Sequence, residues 1–74
     1  MYSRLKQLRK KSNLTKIEIS NYLNISIEEY SLYESGKAKI PINILSSLAR
    51  KYNTSIDYII GDTNIIEAYP KKTN

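Results

Sequence analysis

Between Leu23 and Ile27 the chain must stop one helix and start another within three residues, Asn24, Ile25 and Ser26. Asn tolerates the left-handed backbone that ends a helix. Ser is a preferred N-cap, because its hydroxyl accepts a bond from a free amide of the first helical turn. A connection this tight forces the two flanking helices to cross steeply, which is helix-turn-helix geometry with the second helix free to project. Few folds accommodate it.

Both helices carry their own start signals. "TKIE", Thr15 to Glu18, reads as a capping box: Thr15 caps and Glu18 reaches back to the cap amide. "SIEE", Ser26 to Glu29, repeats the pattern with Glu29 as partner. Glu28 and Glu29 also favour the positive end of the helix dipole. Helix 2 presents Ile19, Tyr22 and Leu23 on one side. Helix 3 runs to Glu34 and stops at "SGK", with Gly36 as the left-handed residue after the cap.

Apolar residues elsewhere recur at three and four positions, not two, so strand signals are weak. Helix 1 covers about Tyr2 to Lys11, with Leu5 and Leu8 on one face and Arg4, Lys6, Lys10 and Lys11 around it. "KAKIP" is a loop. Helix 4 covers about Ile42 to Tyr52, with Ile44, Leu45, Leu48, Ala49 and Tyr52 inward, and Asn53 closes it. Ser55 caps a short fifth helix, "IDYII", ended by Gly61. The expectation is an all-α domain over residues 1–61 and a C-terminal tail over 62–74, its last four residues disordered.

The chain has 74 residues, enough for one small domain with a thin core. It has no cysteine and no histidine, which excludes disulfides and a Cys/His metal site. The usual general bases and thiol nucleophiles are therefore missing, and two distant glycines make no phosphate-cradling loop. No enzyme, cofactor, metal or small-molecule substrate is expected. No window is apolar enough to span a membrane, and the first residues have no signal-peptide core. A cytoplasmic protein is the simple reading. Twelve Lys and Arg stand against seven Asp and Glu, a net charge of +5. Such a balance fits a nucleic-acid partner, or a Lys-rich surface kept for solubility.

From Leu5 to Pro41, "LKQLRKKSNLTKIEISNYLNISIEEYSLYESGKAKIP", and on through "LARKYNTSIDYIIG", the chain resembles the lambda-repressor-like helix-turn-helix proteins, the class that includes the XRE family of bacterial regulators. The resemblance implies a compact five-helix DNA-binding domain, with helix 3 in the major groove and helix 2 across the backbone. By match, Ile27, Glu28, Glu29 and Leu32 hold the base-reading positions. Ile27 and Leu32 can contact a thymine methyl, and Glu28 can accept from cytosine N4. Glu28 could equally serve only the helix N-terminus. Lys16 stands where the family often has Gln, Ser20 where it often has Ala, and Asn24 where it often has Gly.

Arg9 and Glu34 match a family pair that links helix 1 to the end of helix 3, against the alternative of two solvated charges. Tyr30 and Tyr33 match core positions, with base stacking as the rival. Phosphate contacts are expected from Arg9, Lys10, Thr15, Lys16, Ser26, Lys37 and Lys39. The family commonly binds double-stranded DNA as a homodimer on a palindromic operator. Ile56, Ile59, Ile60, Ile65 and Ile66 would then form the dimer contact, or else complete the monomer core. A protein-interaction module, such as an antitoxin or an anti-repressor partner, is the competing use of the same fold.

Overall fold

The computed structural model describes residues 3–61 together with Asn64 and Ile66. Five helices follow in order: α1 (Ser3–Lys11), α2 (Lys16–Leu23), α3 (Ile27–Glu34), α4 (Ile42–Lys51) and α5 (Ile56–Ile60). No strand occurs among the described residues. No helix among them is long and apolar enough to cross a membrane. Tyr2, Ile65 and the segment beyond Ile66 lie outside the described residues.

One device ends every helix. Asn13, Asn24, Gly36, Asn53 and Gly61 each follow a helix with positive φ, at 58°, 63°, 80°, 52° and 91°. At the first four, two reversed bonds collect the last carbonyls: Asn24 N–H donates to Asn21 and Ile25 N–H to Ser20, and Gly36 N–H donates to Tyr33 and Lys37 N–H to Leu32. The ends of α1 and α4 repeat the pattern at Asn13–Leu14 and Asn53–Thr54. The chain therefore reverses without long loops.

The starts are capped as locally. Thr15 Oγ1 accepts from Glu18 N–H, and the Glu18 carboxylate accepts from Thr15 N–H at 2.8 Å. Ser26 Oγ accepts from Glu29 N–H, and Ser55 Oγ from Tyr58 N–H.

The core takes Leu5 and Leu8 from α1, Ile19 and Leu23 from α2, and Tyr30 and Tyr33 from α3. Ile40, four residues of α4 (Ile44, Leu45, Leu48, Ala49) and Ile59 complete it. Leu5, Ile19, Tyr30, Leu48 and Ile59 are the fully buried ones. Helix α3 rests on α2 and α1, while α5 rests on α1 and α4.

Three expectations change. Tyr22 is not on the buried side of α2; it is half exposed, with the Lys51 ammonium 4.8 Å from its ring centre. Ser20 takes its place inside, its hydroxyl bonded to the Ile17 carbonyl. The buried stripe Ile19–Ser20–Leu23 is centred a third of a turn away from Tyr22. Ile59 is 1% exposed and fills the monomer core, so it cannot form a dimer contact. The second capping box is only half made, as described below.

Asn64 and Ile66, described beyond Gly61, both lie against the domain. Arg4 donates to the Tyr58 carbonyl at 2.9 Å and to Asn64 Oδ1 at 2.6 Å, with its guanidinium 4.2 Å from the Tyr58 ring centre. Thr54 donates its hydroxyl to the Ile66 carbonyl, and Ile66 packs against the core.

Candidate nucleic-acid interface

Helix α3 has two faces with separate tasks. At about 100° per residue, Ile27, Glu28, Ser31, Leu32 and Ser35 fall on one side, and Tyr30, Tyr33 and Glu34 on the other. The second set is buried. On the first, Ile27 is 36% and Leu32 45% exposed, Glu28 and Ser35 are exposed, and Ser31 is half-buried. The leading turn of α3 is open to solvent. The backbone between α2 and α3 spans only Asn24, Ile25 and Ser26, so α2 holds the start of α3 at a fixed angle.

The buried face is anchored by polar bonds as well as by packing. Arg9 on α1 donates Nε to Glu34 Oε2 at 2.8 Å and Nη2 to Oε1 at 3.1 Å. Its Nη1 donates to the Leu14 carbonyl at 3.0 Å. Tyr30 donates its hydroxyl to Glu34 Oε2 at 2.8 Å. Arg9 and Glu34 are both buried, so this bidentate pair fixes the C-terminal end of α3 to α1.

The charges answer this arrangement. Burial pushes the Glu34 carboxyl up, but the bonds from Arg9 and Tyr30, with the Lys16 charge nearby, hold it below the usual carboxylate range. The bond to Glu34 raises Arg9 against its own burial. Burial, then the Glu34 bond, raises the Tyr30 phenol.

Glu29 departs from both roles expected of it. Its carboxylate accepts from the Tyr33 hydroxyl at 2.6 Å and does not reach back to the Ser26 amide. The reason is local. The Tyr33 ring is buried, its hydroxyl emerges at the rim one turn from Glu29, and a phenol there needs an acceptor. Glu29 is half-buried and occupied, which withdraws it from the base-reading set. Arg9, expected also to contact phosphate, is buried, and each of its three nitrogens donates one bond to a protein acceptor.

Of the remaining cations, Lys10, Lys37 and Lys39 are exposed and Lys16 is half-buried at the start of α2. Thr15 and Ser26 are exposed caps, and Ile17, beside Lys16, is 59% exposed. Sequence reasoning passed over Ile17, Ser31 and Ser35. The helical spacing from Ile27 would have found Ser31 and Ser35. Only the packing of α2 shows that Ile17 faces out.

A small helical domain with a capped, tightly turned second and third helix, whose third helix is pinned inside and open outside, is a helix-turn-helix domain. A family model described as helix-turn-helix matches residues 5–59, and the chain belongs to this family, of the XRE type. Over 61 residues the chain is 41% identical to YobD of Bacillus subtilis strain 168, an uncharacterized HTH-type transcriptional regulator; the match covers 82% of this chain and 54% of YobD. Over 62 residues it is 29% identical to the antitoxin PezA of Streptococcus pneumoniae serotype 4, covering 84% of this chain and 39% of PezA. The chain thus spans about half, or less, of the length of these curated relatives. No solved structure matches it.

Proposed function

We propose that this chain is the DNA-binding part of a transcriptional regulator of bacterial or phage type, working in the cytoplasm. On this reading α3 enters the major groove, with Ile27, Glu28, Ser31 and Leu32 toward the base edges, and α2 lies across the backbone. The carrying observation is the divided α3: Tyr30, Tyr33 and Glu34 bury one face while Ile27, Glu28 and Leu32 stay open on the other. The family membership supports it, as does the name of the relative YobD.

Lys10, Lys16, Lys37 and Lys39 supply phosphate contacts, with hydroxyl or amide contacts from Thr15 and Ser26. About four neutralised phosphates per subunit give a log–log salt slope of about −4. One domain covers one half-site, so a homodimer on a palindrome is the expected assembly. Ile60, 38% exposed, and half-buried Ile56 beside a shallow groove of ≈ 420 Å³ between α4 and α5 support a contact there. Ile66, half-buried, lies nearby through the Thr54 bond.

Selection of bound sequences from random duplex DNA tests the proposal. An enriched palindrome is the expected result. No enrichment, with a folded protein, refutes it.

A second reading rests on the apolar exposure of Ile17, Ile27 and Leu32, which suits a protein partner as well as thymine methyls. The antitoxin relative points the same way. Replacing Lys16 and Lys37 with Ala separates the two readings. Loss of function with the lysines favours DNA; loss confined to Ile27 and Leu32 variants favours the protein partner.

A further inference from the structure

We infer that Glu28 is the specificity-determining residue of α3 and selects a cytosine in the half-site, with Leu32 and Ile27 seating neighbouring thymine methyls. The inference rests on the DNA-binding reading and sharpens it to a base.

Four glutamates lie on α2 and α3. Three have structural partners: Glu18 closes the Thr15 box, Glu29 takes the Tyr33 hydroxyl, and Glu34 takes Arg9 and Tyr30. Glu28 is exposed and makes no hydrogen bond or ion pair among the described residues. It stands on the open face of α3, beside Ile27 and one turn before Leu32. Among these four acids it alone is both outward-facing and unpartnered.

A carboxylate brought among phosphates is repelled unless it meets a donor. In the major groove the donors are cytosine N4 and adenine N6. Adenine places the N7 acceptor beside its amine, so an acid there gains one bond and faces one repulsion. Guanine N7 and O6 and thymine O4 are acceptors and repel it outright. Cytosine offers its amine without an acceptor of its own in that groove. The apolar flanks strengthen the choice. Ile27 and Leu32 remove water around the carboxylate when the complex forms, so a wrong base leaves a desolvated charge unpaired. Discrimination of about 10- to 100-fold against the wrong base follows. Glu29 cannot supply this contact, because it is tied to Tyr33.

The test is selection from random duplex DNA with the wild-type chain and with Glu28→Gln, at one salt concentration. The open, unpartnered position lets the variant fold, and its thermal midpoint is measured alongside. Wild type is expected to enrich a half-site with one strongly selected cytosine. The Glu28→Gln variant is expected to move that position to adenine, whose N6 and N7 suit a side-chain amide, and to leave the other positions unchanged. Duplexes changed only at the cytosine should lose about 10- to 100-fold in wild-type affinity. A motif that is the same for wild type and for the Glu28→Gln variant overturns the inference and leaves DNA binding standing. So does a variant that changes affinity for all sequences equally, the result expected of an acid that serves only the helix dipole. Enrichment of no sequence by the wild type overturns both.

Discussion

Replacing Glu34 with Ala asks how much of the domain depends on the link between α1 and α3. The substitution leaves the Arg9 guanidinium, on a side chain 10% exposed, with the Leu14 carbonyl alone. It also takes the acceptor from the buried Tyr30 hydroxyl. Breaking a buried pair from one side costs about 3–5 kcal/mol, and an unpaired buried hydroxyl about 1–3 kcal/mol. A domain this thin keeps no group far from water, so the low end of each applies, and the total is about 4 kcal/mol. The domain as a whole is worth roughly 3–9 kcal/mol at the usual stability per residue. Glu34→Ala is therefore expected to be largely unfolded or to lose about half its stability. The combination Arg9→Met, Glu34→Leu and Tyr30→Phe removes every charge and hydroxyl together and is expected to return to within about 1–2 kcal/mol of wild type. Urea unfolding followed by circular dichroism gives both values. The pair also sets an acid limb. Because the folded Glu34 carboxyl lies below its unfolded range, its stability is present at neutral pH and is lost as pH falls through the folded value. Glu34→Gln should flatten that limb. A Glu34→Ala cost under about 1 kcal/mol, or a triple variant no better than the single one, would refute the reasoning.

Tyr52 carries a buried hydroxyl with no hydrogen-bond partner among the described residues, so Tyr52→Phe should be neutral or stabilise by up to about 1 kcal/mol in the same urea assay. Asn24 sits at φ 63°, so Asn24→Gly should stay within about 0.5 kcal/mol of wild type while Asn24→Ile loses about 1–2 kcal/mol. In alkali, Tyr30 is raised by burial and the Glu34 bond, Tyr33 by the Glu29 bond and then burial, and Tyr52 by burial to about 12. The fold accepts these phenols only in the neutral form, so stability is undiminished below the ordinary phenol range and falls as pH rises through it toward the raised values. Tyrosinate absorbance should therefore show a late step that coincides with loss of helical signal and moves down in urea.

Much of the fold was legible because its punctuation is local. Asn24, Gly36, Asn53 and Gly61 each mark a helix end through a backbone preference that needs no tertiary context, and Thr15 with Glu18 marks a start. Tyr30 and Tyr33 were legible as core from their spacing on α3. What failed was competition between local partners. Glu29 could reach the Ser26 amide or the Tyr33 hydroxyl one turn on, and burial of the Tyr33 ring, which depends on tertiary packing, decides between them. Tyr22 failed because burial of a serine, Ser20, turned the inward face of α2. Ile59 stayed open between dimer contact and monomer core, because counting apolar residues does not show that α5 closes the core against α1 and α4.

The same eight residues of α3 therefore carry two independent demands, and the chain meets them by sorting its acids. Glu29 and Glu34 face inward or sideways and accept bonds from tyrosine and arginine, which fixes where the helix sits. Those bonds are buried or half-buried, so salt and solvent screen them weakly. Glu28, Ser31 and Leu32 are left free of structural duty, apart from the packing that half-buries Ser31. Substitutions on the outer face can then change what is bound without moving the scaffold, whereas substitutions on the inner face move the helix and alter every outer contact together. On the proposed reading, a Leu32 variant should alter base preference at an unchanged unfolding midpoint. A Tyr30 variant should weaken all sequences alike in proportion to lost stability. The two kinds of variant differ in outcome because one helix separates holding from reading by its geometry alone.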